Sequence, residues 1–166
     1  MRVAGMIFIV LSAGSVGFQM ASNLKKRCML MQQLLISLQV MKNEIVVCRT
    51  PLPRVFALMA ASVQEPLSLV YSCIAKDMDR NRWVTPYEAV CTALLDFSEA
   101  TVGDVLLPLA QTLGKYDLDA QTIGIDKAVF DAQAILHTLE DERRLKSRTY
   151  RTLGICTGLA VAILLA

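Results

Sequence analysis

The chain has 166 residues and a formal net charge of +2, from 17 Lys and Arg against 15 Asp and Glu. So small a surplus argues against nucleic acid as a partner. The composition is 54% hydrophobic, and the mean hydropathy of +0.45 is high for a soluble domain; the excess sits at the two ends.

The first apolar stretch, Val3 to Leu24, holds no charged side chain. Roughly 22 residues make about 33 Å of helix, enough to cross a bilayer core about 30 Å thick. A cleaved signal peptide is the competing reading of any N-terminal apolar run, with Phe18 to Ala21 as a loose cleavage region. Two features oppose it. The apolar core is longer than a usual signal core, and Lys25, Lys26 and Arg27 follow it while only Arg2 precedes it. By the positive-inside rule the C-terminal side then stays in the cytoplasm. Residues 1–24 are therefore expected to be an uncleaved transmembrane helix with its N-terminus outside.

After this basic collar, Leu30, Leu34, Leu38, Met41, Ile45 and Cys48 recur at spacings of three and four. They predict an amphipathic helix to about Cys48. No Gly or Pro separates it from the span, so the two should be continuous. Thr50-Pro51-Leu52-Pro53 reads as an N-cap followed by a first-turn proline. Val55, Phe56, Met59, Ala60 and Val63 form the apolar face of that second helix, and Glu65-Pro66 breaks it. Leu67, Val70, Tyr71, Ile74 and Met78 line a third helix, which should end in the charged stretch Asp77 to Arg82.

Thr85-Pro86-Tyr87-Glu88 is a capping box, opening a helix with Val90, Ala93, Leu94 and Phe97 on one face. Another helix begins around Thr101 and carries Leu106, Leu109 and Leu113. Pro108 should kink it unless it lies within the first turns, and Gly114 fits the position just past its end. Asp117 or Asp119 should cap the last helix, whose buried stripe is Ile125, Ala128, Val129, Ala132, Ile135, Leu136 and Leu139. Gly124 reads as a local weakness in it. No stretch alternates apolar and polar residues with a period of two. The expected fold is all-α: a cytoplasmic bundle of about six helices, residues 25–152, between the N-terminal span and a C-terminal apolar helix, residues 153–166.

That terminal run is about 21 Å long as helix, short for a span, and reaches about 25 Å if counted from Tyr150. Arg143, Arg144, Lys146, Arg148 and Arg151 lie on its domain side, which again places the domain inside. Small residues recur every fourth position in both apolar ends: Ala13, Gly17 and Ala21, then Gly154, Gly158, Ala162 and Ala166. Such ribbons let helix backbones approach closely in lipid, and the two ends are expected to pack as an antiparallel pair.

Chemistry-bearing motifs are missing. The five cysteines form no C-x-x-C pair, and one histidine cannot complete a zinc site with them. They read as free, mostly buried thiols in a reducing compartment. No phosphate-cradling glycine loop appears. His137 has Asp141 one turn later, an ordinary helical pair. Trp83 suits either the core or a contact surface, the core being favoured. Glu44, beside Met41, Ile45 and Cys48, either lies at the edge of the apolar face or pairs with a basic group, including one in a partner. No catalytic, cofactor-binding or metal residue is expected.

The motifs in sequence resemble the stage III sporulation protein AB family across nearly the whole chain. The matching features are Gly17-Phe18, Ala21 and Leu24 in the span, then Glu44-Ile45 and Thr50-Pro51-Leu52-Pro53. Thr112-Leu113-Gly114, Asp117 and Gln121 follow, before a charged and then an apolar helix. Cys48 stands where an aromatic is more usual, and Arg54 where an acidic residue often stands. The resemblance implies a mother-cell membrane protein around the forespore, with its domain in the mother-cell cytoplasm. It implies a part of a channel-like complex, and a domain like that of the inner-membrane platform protein of type II secretion and type IV pilus systems. The implied partners are the membrane, other membrane proteins of the channel, and a cytoplasmic secretion-type ATPase resembling stage III sporulation protein AA; homo-oligomers are compatible with it. The implied role is non-enzymatic docking, for which Glu44, Arg49, Arg54, Asp117 and Gln121 are the candidate contact residues. A membrane-tethered regulator of another cytoplasmic partner is the alternative.

Overall fold

The computed structural model describes the backbone of residues 2–165 except 82, 96, 98 and 116, and the side chains of residues 22–145 with the same exceptions. The described residues form six helices: α1 (Arg2–Val46), α2 (Leu52–Ser62), α3 (Leu67–Arg80), α4 (Pro86–Leu94), α5 (Ala100–Thr112) and α6 (Leu118–Leu165). The fold is all-α, as the 3.6-residue periodicity requires. Helix α1 is continuous from the first apolar run into the amphipathic stretch, because nothing in that sequence breaks it.

The chain divides into two compact units. One joins residues 1–28 to residues 137–166; the other is residues 29–136. Among the described residues no helix is long and apolar enough to cross a membrane. The expected spans, residues 1–24 and 153–166, and their small-residue ribbons fall almost wholly outside the described side chains.

In the second unit the helices run up and down. Helices α2 and α3, α3 and α4, and α4 and α5 pack as neighbours. The Gln64 N–H, just past α2, donates to Gln33 Oε1 in mid-α1 at 3.0 Å, so α2 runs back along α1. Gly124 near the start of α6 abuts Thr112 at the end of α5, so α6 runs back along α5. The core takes Met31, Leu34, Leu38 and Met41 from α1, Phe56 and Met59 from α2, Tyr71 and Ile74 from α3, and Leu106 and Ile125 from α5 and α6. One polar pair lies inside it. The Tyr71 hydroxyl and Ser37 Oγ are 2.7 Å apart, and Ser37 Oγ donates to the Leu34 carbonyl, also at 2.7 Å. Burial pushes the Tyr71 phenol far above its usual range.

Local expectations fare unevenly. The Thr85–Glu88 capping box forms in full, Gly114 has φ +74, and Asp117 caps α6 by accepting from the Ala120 N–H at 3.2 Å. Thr50 is not the cap of α2: Pro51 is, without a side-chain bond. Helix α3 continues through Asp77, Asp79 and Arg80, since no breaker precedes Asn81. Helix α5 begins at Ala100 after Glu99 and retains Pro108 inside it. Helix α1 stops at Val46, which leaves Cys48 exposed. Of the four described cysteines only Cys28 is buried; Cys48 and Cys73 face solvent, because each lies off the apolar stripe or past the helix end.

The distal end of the bundle as candidate functional site

Three connections meet at one end of the second unit. A side-chain carbon placed on Gly114 would lie 3.4 Å from Leu52 Cδ1 and 3.8 Å from Pro86 Cγ. Thus the first residues of α2 and α4 both pack on the turn that leads into α6. That turn has Leu113 at φ −69, ψ 133 followed by the left-handed Gly114, a combination that favours glycine. Every candidate contact residue belongs to the last turn of α1, the α1–α2 connection, the first turn of α2, or the start of α6. Residues 44–54 and 113–121, more than fifty positions apart in sequence, are brought to the same end.

Glu44 is half-buried and Arg49 and Arg54 are exposed. Among the described residues the Glu44 carboxylate pairs with no basic group; Thr50 Oγ1 donates to its Oε2 at 2.6 Å. The Thr50 N–H also donates to the Glu44 carbonyl, at 2.9 Å. This double bracket turns the chain from α1 into α2, and Arg49 within it takes φ +51, a left-handed conformation that non-glycine residues rarely adopt. Glu44 therefore has a structural role that its sequence neighbours did not reveal. Asp117 is exposed and used as a cap, while the half-buried Gln121 donates its N–H to the Asp117 carbonyl at 3.1 Å.

One residue at this end was assigned differently by sequence. Trp83 is 91% exposed, not a lid on the core. The connection carrying it is braced: Asn81 Oδ1 accepts from the Trp83 N–H at 3.2 Å, and the Asn81 carbonyl accepts from Val84 at 3.1 Å. Pro86, three residues on, starts α4 and fixes its other end.

Elsewhere, Lys42 Nζ lies 2.6 Å from Asp126 Oδ1 and joins α1 to α6. His137 Nδ1 lies 3.1 Å from Asp141 Oδ2 one turn along α6. Among the described residues no group of three or more His, Cys, Asp or Glu could hold a metal ion. The site is thus a surface of polar groups, charges and one exposed indole.

Fold and site together define a helical-bundle protein with two long terminal helices and a distal end built from three helix starts. The family model for stage III sporulation protein AB (spore_III_AB) matches residues 2–166, so the chain belongs to the stage III sporulation protein AB family. Stage III sporulation protein AB of Bacillus subtilis (strain 168) is 27% identical over 172 residues, covering 99% of each chain. A solved structure of stage III sporulation protein AB aligns with a TM-score of 0.60 at 24% identity, covering 68% of this chain and 92% of that one. That likeness is one of fold.

Proposed function

We propose that this chain is a membrane-anchored platform component of the sporulation channel complex. Its bundle faces the mother-cell cytoplasm from the membrane around the forespore. There it docks a secretion-type ATPase through the distal end. The role is mechanical: holding the motor at the channel, with no reaction carried out by the bundle itself. The observation that carries the reading is the convergence of Thr50 to Pro53 with Leu113, Gly114 and Asp117, which carry the family resemblance, on one end of the bundle. Arg54 and Asp117 at this end are exposed, so a partner can reach them. Charge placement supports the anchor: the cations Lys25 to Arg27 and Arg143 to Arg151 each border an apolar run on its domain side.

The test is recovery of the ATPase on the full chain in detergent. Wild type should retain it, and Arg54→Ala should weaken retention without lowering the melting temperature, because Arg54 is exposed. Glu44→Lys should weaken both, because it also opens the Thr50 bracket. A wild-type chain that recovers channel proteins but no secretion-type ATPase overturns the docking role.

A further inference from the structure

We infer that α1 pairs with the α1 of a second copy of this chain, parallel and in register, along its outer face from Met29 to Asn43. This rests on the membrane anchor of the platform reading and not on the ATPase. Met31, Leu34, Leu38, Met41 and Ile45 turn one face of α1 into the bundle core. The opposite face consists of Met29, Gln32, Ile36, Gln39 and Asn43, all exposed; Met29 is 46% and Ile36 51% exposed, although both are apolar. From residue 28 to residue 41 the helix carries no charge. By contrast, the exposed face of α3 carries Lys76, Asp79 and Arg80, and that of α6 carries Asp126 and Lys127. A patch depleted of charge and containing Met has the composition of the middle of a protein interface.

Spacing and chemistry together specify the occupant. Met29, Ile36 and Asn43 recur every seventh residue with Gln32 and Gln39 between them, the repeat by which two helices lie side by side. Half-buried Leu35 and Val40 flank the seam. Its polar groups are all amides, and an amide both donates and accepts. Each can therefore bond its twin in a second copy, whereas a charged group repels its twin. One Asn in such a seam fixes two strands and their register. The anchor holds the N-terminal end of every α1 in one membrane, which sets two copies parallel and at one height. Lys25, next in the repeat toward the membrane, would bring like charges together and ends the seam there. So short a seam has far fewer contacts than the about 20–30 residues a side of a stable interface. The pair therefore depends on the effective concentration that a shared membrane provides.

Disulfide trapping in membranes holding the full chain, with its native cysteines replaced by alanine, tests this. Gln32→Cys, Ile36→Cys and Gln39→Cys should each give cross-linked dimers under mild oxidation. Lys76→Cys and Gln133→Cys, exposed on α3 and α6, should not. A charge swap on the chain with its cysteines intact reads the same contact independently. Ile36→Glu alone and Ile36→Lys alone should each abolish energy transfer between two differently labelled copies in the membrane. Coexpressing the two should restore it, and neither should lower the melting temperature, because position 36 is exposed. Cross-links no more abundant than the controls give, or energy transfer that survives both single charges, would overturn the pairing. So would Met29→Cys joining Asn43→Cys in place of like positions, which describes an antiparallel pair. Carbonate extraction of the same membranes reads the anchor. A chain released by it overturns the anchor and the parallel pairing with it; a chain retained but not cross-linked overturns the pairing alone.

Discussion

The buried hydroxyl pair between Ser37 and Tyr71 sets an asymmetry that mutation can read. Ser37 donates its O–H to the Leu34 carbonyl, which leaves the Tyr71 hydroxyl as the donor between them. Ser37→Ala leaves that donor buried without a partner, at a cost of about 1–3 kcal/mol. Tyr71→Phe removes the donor together with its need and should cost less, since Ser37 keeps its bond to Leu34. Urea unfolding of the full chain in detergent should rank the two in that order; the reverse order would mean that the phenol finds another acceptor. Gly124 gives a second residue-scale test. Glycine to alanine in a helix normally gains about 1 kcal/mol. Here the added carbon would lie 2.5 Å from Thr112 Oγ1 and 3.2 Å from its Cβ, so Gly124→Ala should lose about 1–3 kcal/mol by overpacking. Thr112→Ala in the same chain should restore much of the loss. The apparent weakness in the sequence of α6 is what lets α6 approach α5.

At the scale of elements, α4 depends on its cap. It has nine residues, and so short a helix is marginal without its tertiary contacts. Thr85 Oγ1 accepts from the Glu88 N–H at 3.2 Å, and the Thr85 N–H donates to Glu88 Oε2 at 3.0 Å. Thr85→Ala should cost about 1 kcal/mol. The hydrogen bonds from Thr85 hold the Glu88 carboxyl below its usual range. A depressed carboxyl pKa stabilises the fold above the unfolded value of about 4.3, and the gain is lost as pH falls through the folded value. Glu88→Gln should therefore matter less at pH 3 than at pH 7, measured by thermal unfolding at both. An equal effect at both would detach the carboxyl from the cap.

For the whole molecule, thiol chemistry reads packing and orientation together. Cys28 is buried, and desolvation raises its pKa, with Glu140 adding to the rise and Arg143 and Arg27 opposing it. In single-cysteine variants a maleimide should modify Cys48 and Cys73 quickly and Cys28 only on unfolding, because less thiolate forms and access is blocked. With the chain expressed in vegetative cells, where its membrane is the cell surface, an impermeant maleimide on intact cells should leave Cys48 and Cys73 unlabelled until lysis if the bundle is cytoplasmic. Labelling before lysis would reverse the proposed topology.

Sequence by itself determined the helices and much of their inward faces. Apolar periodicity, prolines and the Thr85 capping box are local signals, and local signals follow from backbone geometry and propensity alone. The same locality explains its errors. Thr50 has the composition of a cap, but its hydroxyl goes to Glu44, six residues earlier, because α1 ends at Val46 and the chain turns back. Trp83 reads as core, but its side chain stands exposed on the α3–α4 connection. Only the tertiary structure decided that residues 44–54 and 113–121 share one end, that Gly124 is a contact point, and that Ser37 meets Tyr71. Each of these joins residues 12 to 77 positions apart, and what brings them together is the shared burial of six apolar stripes, a property of no single segment.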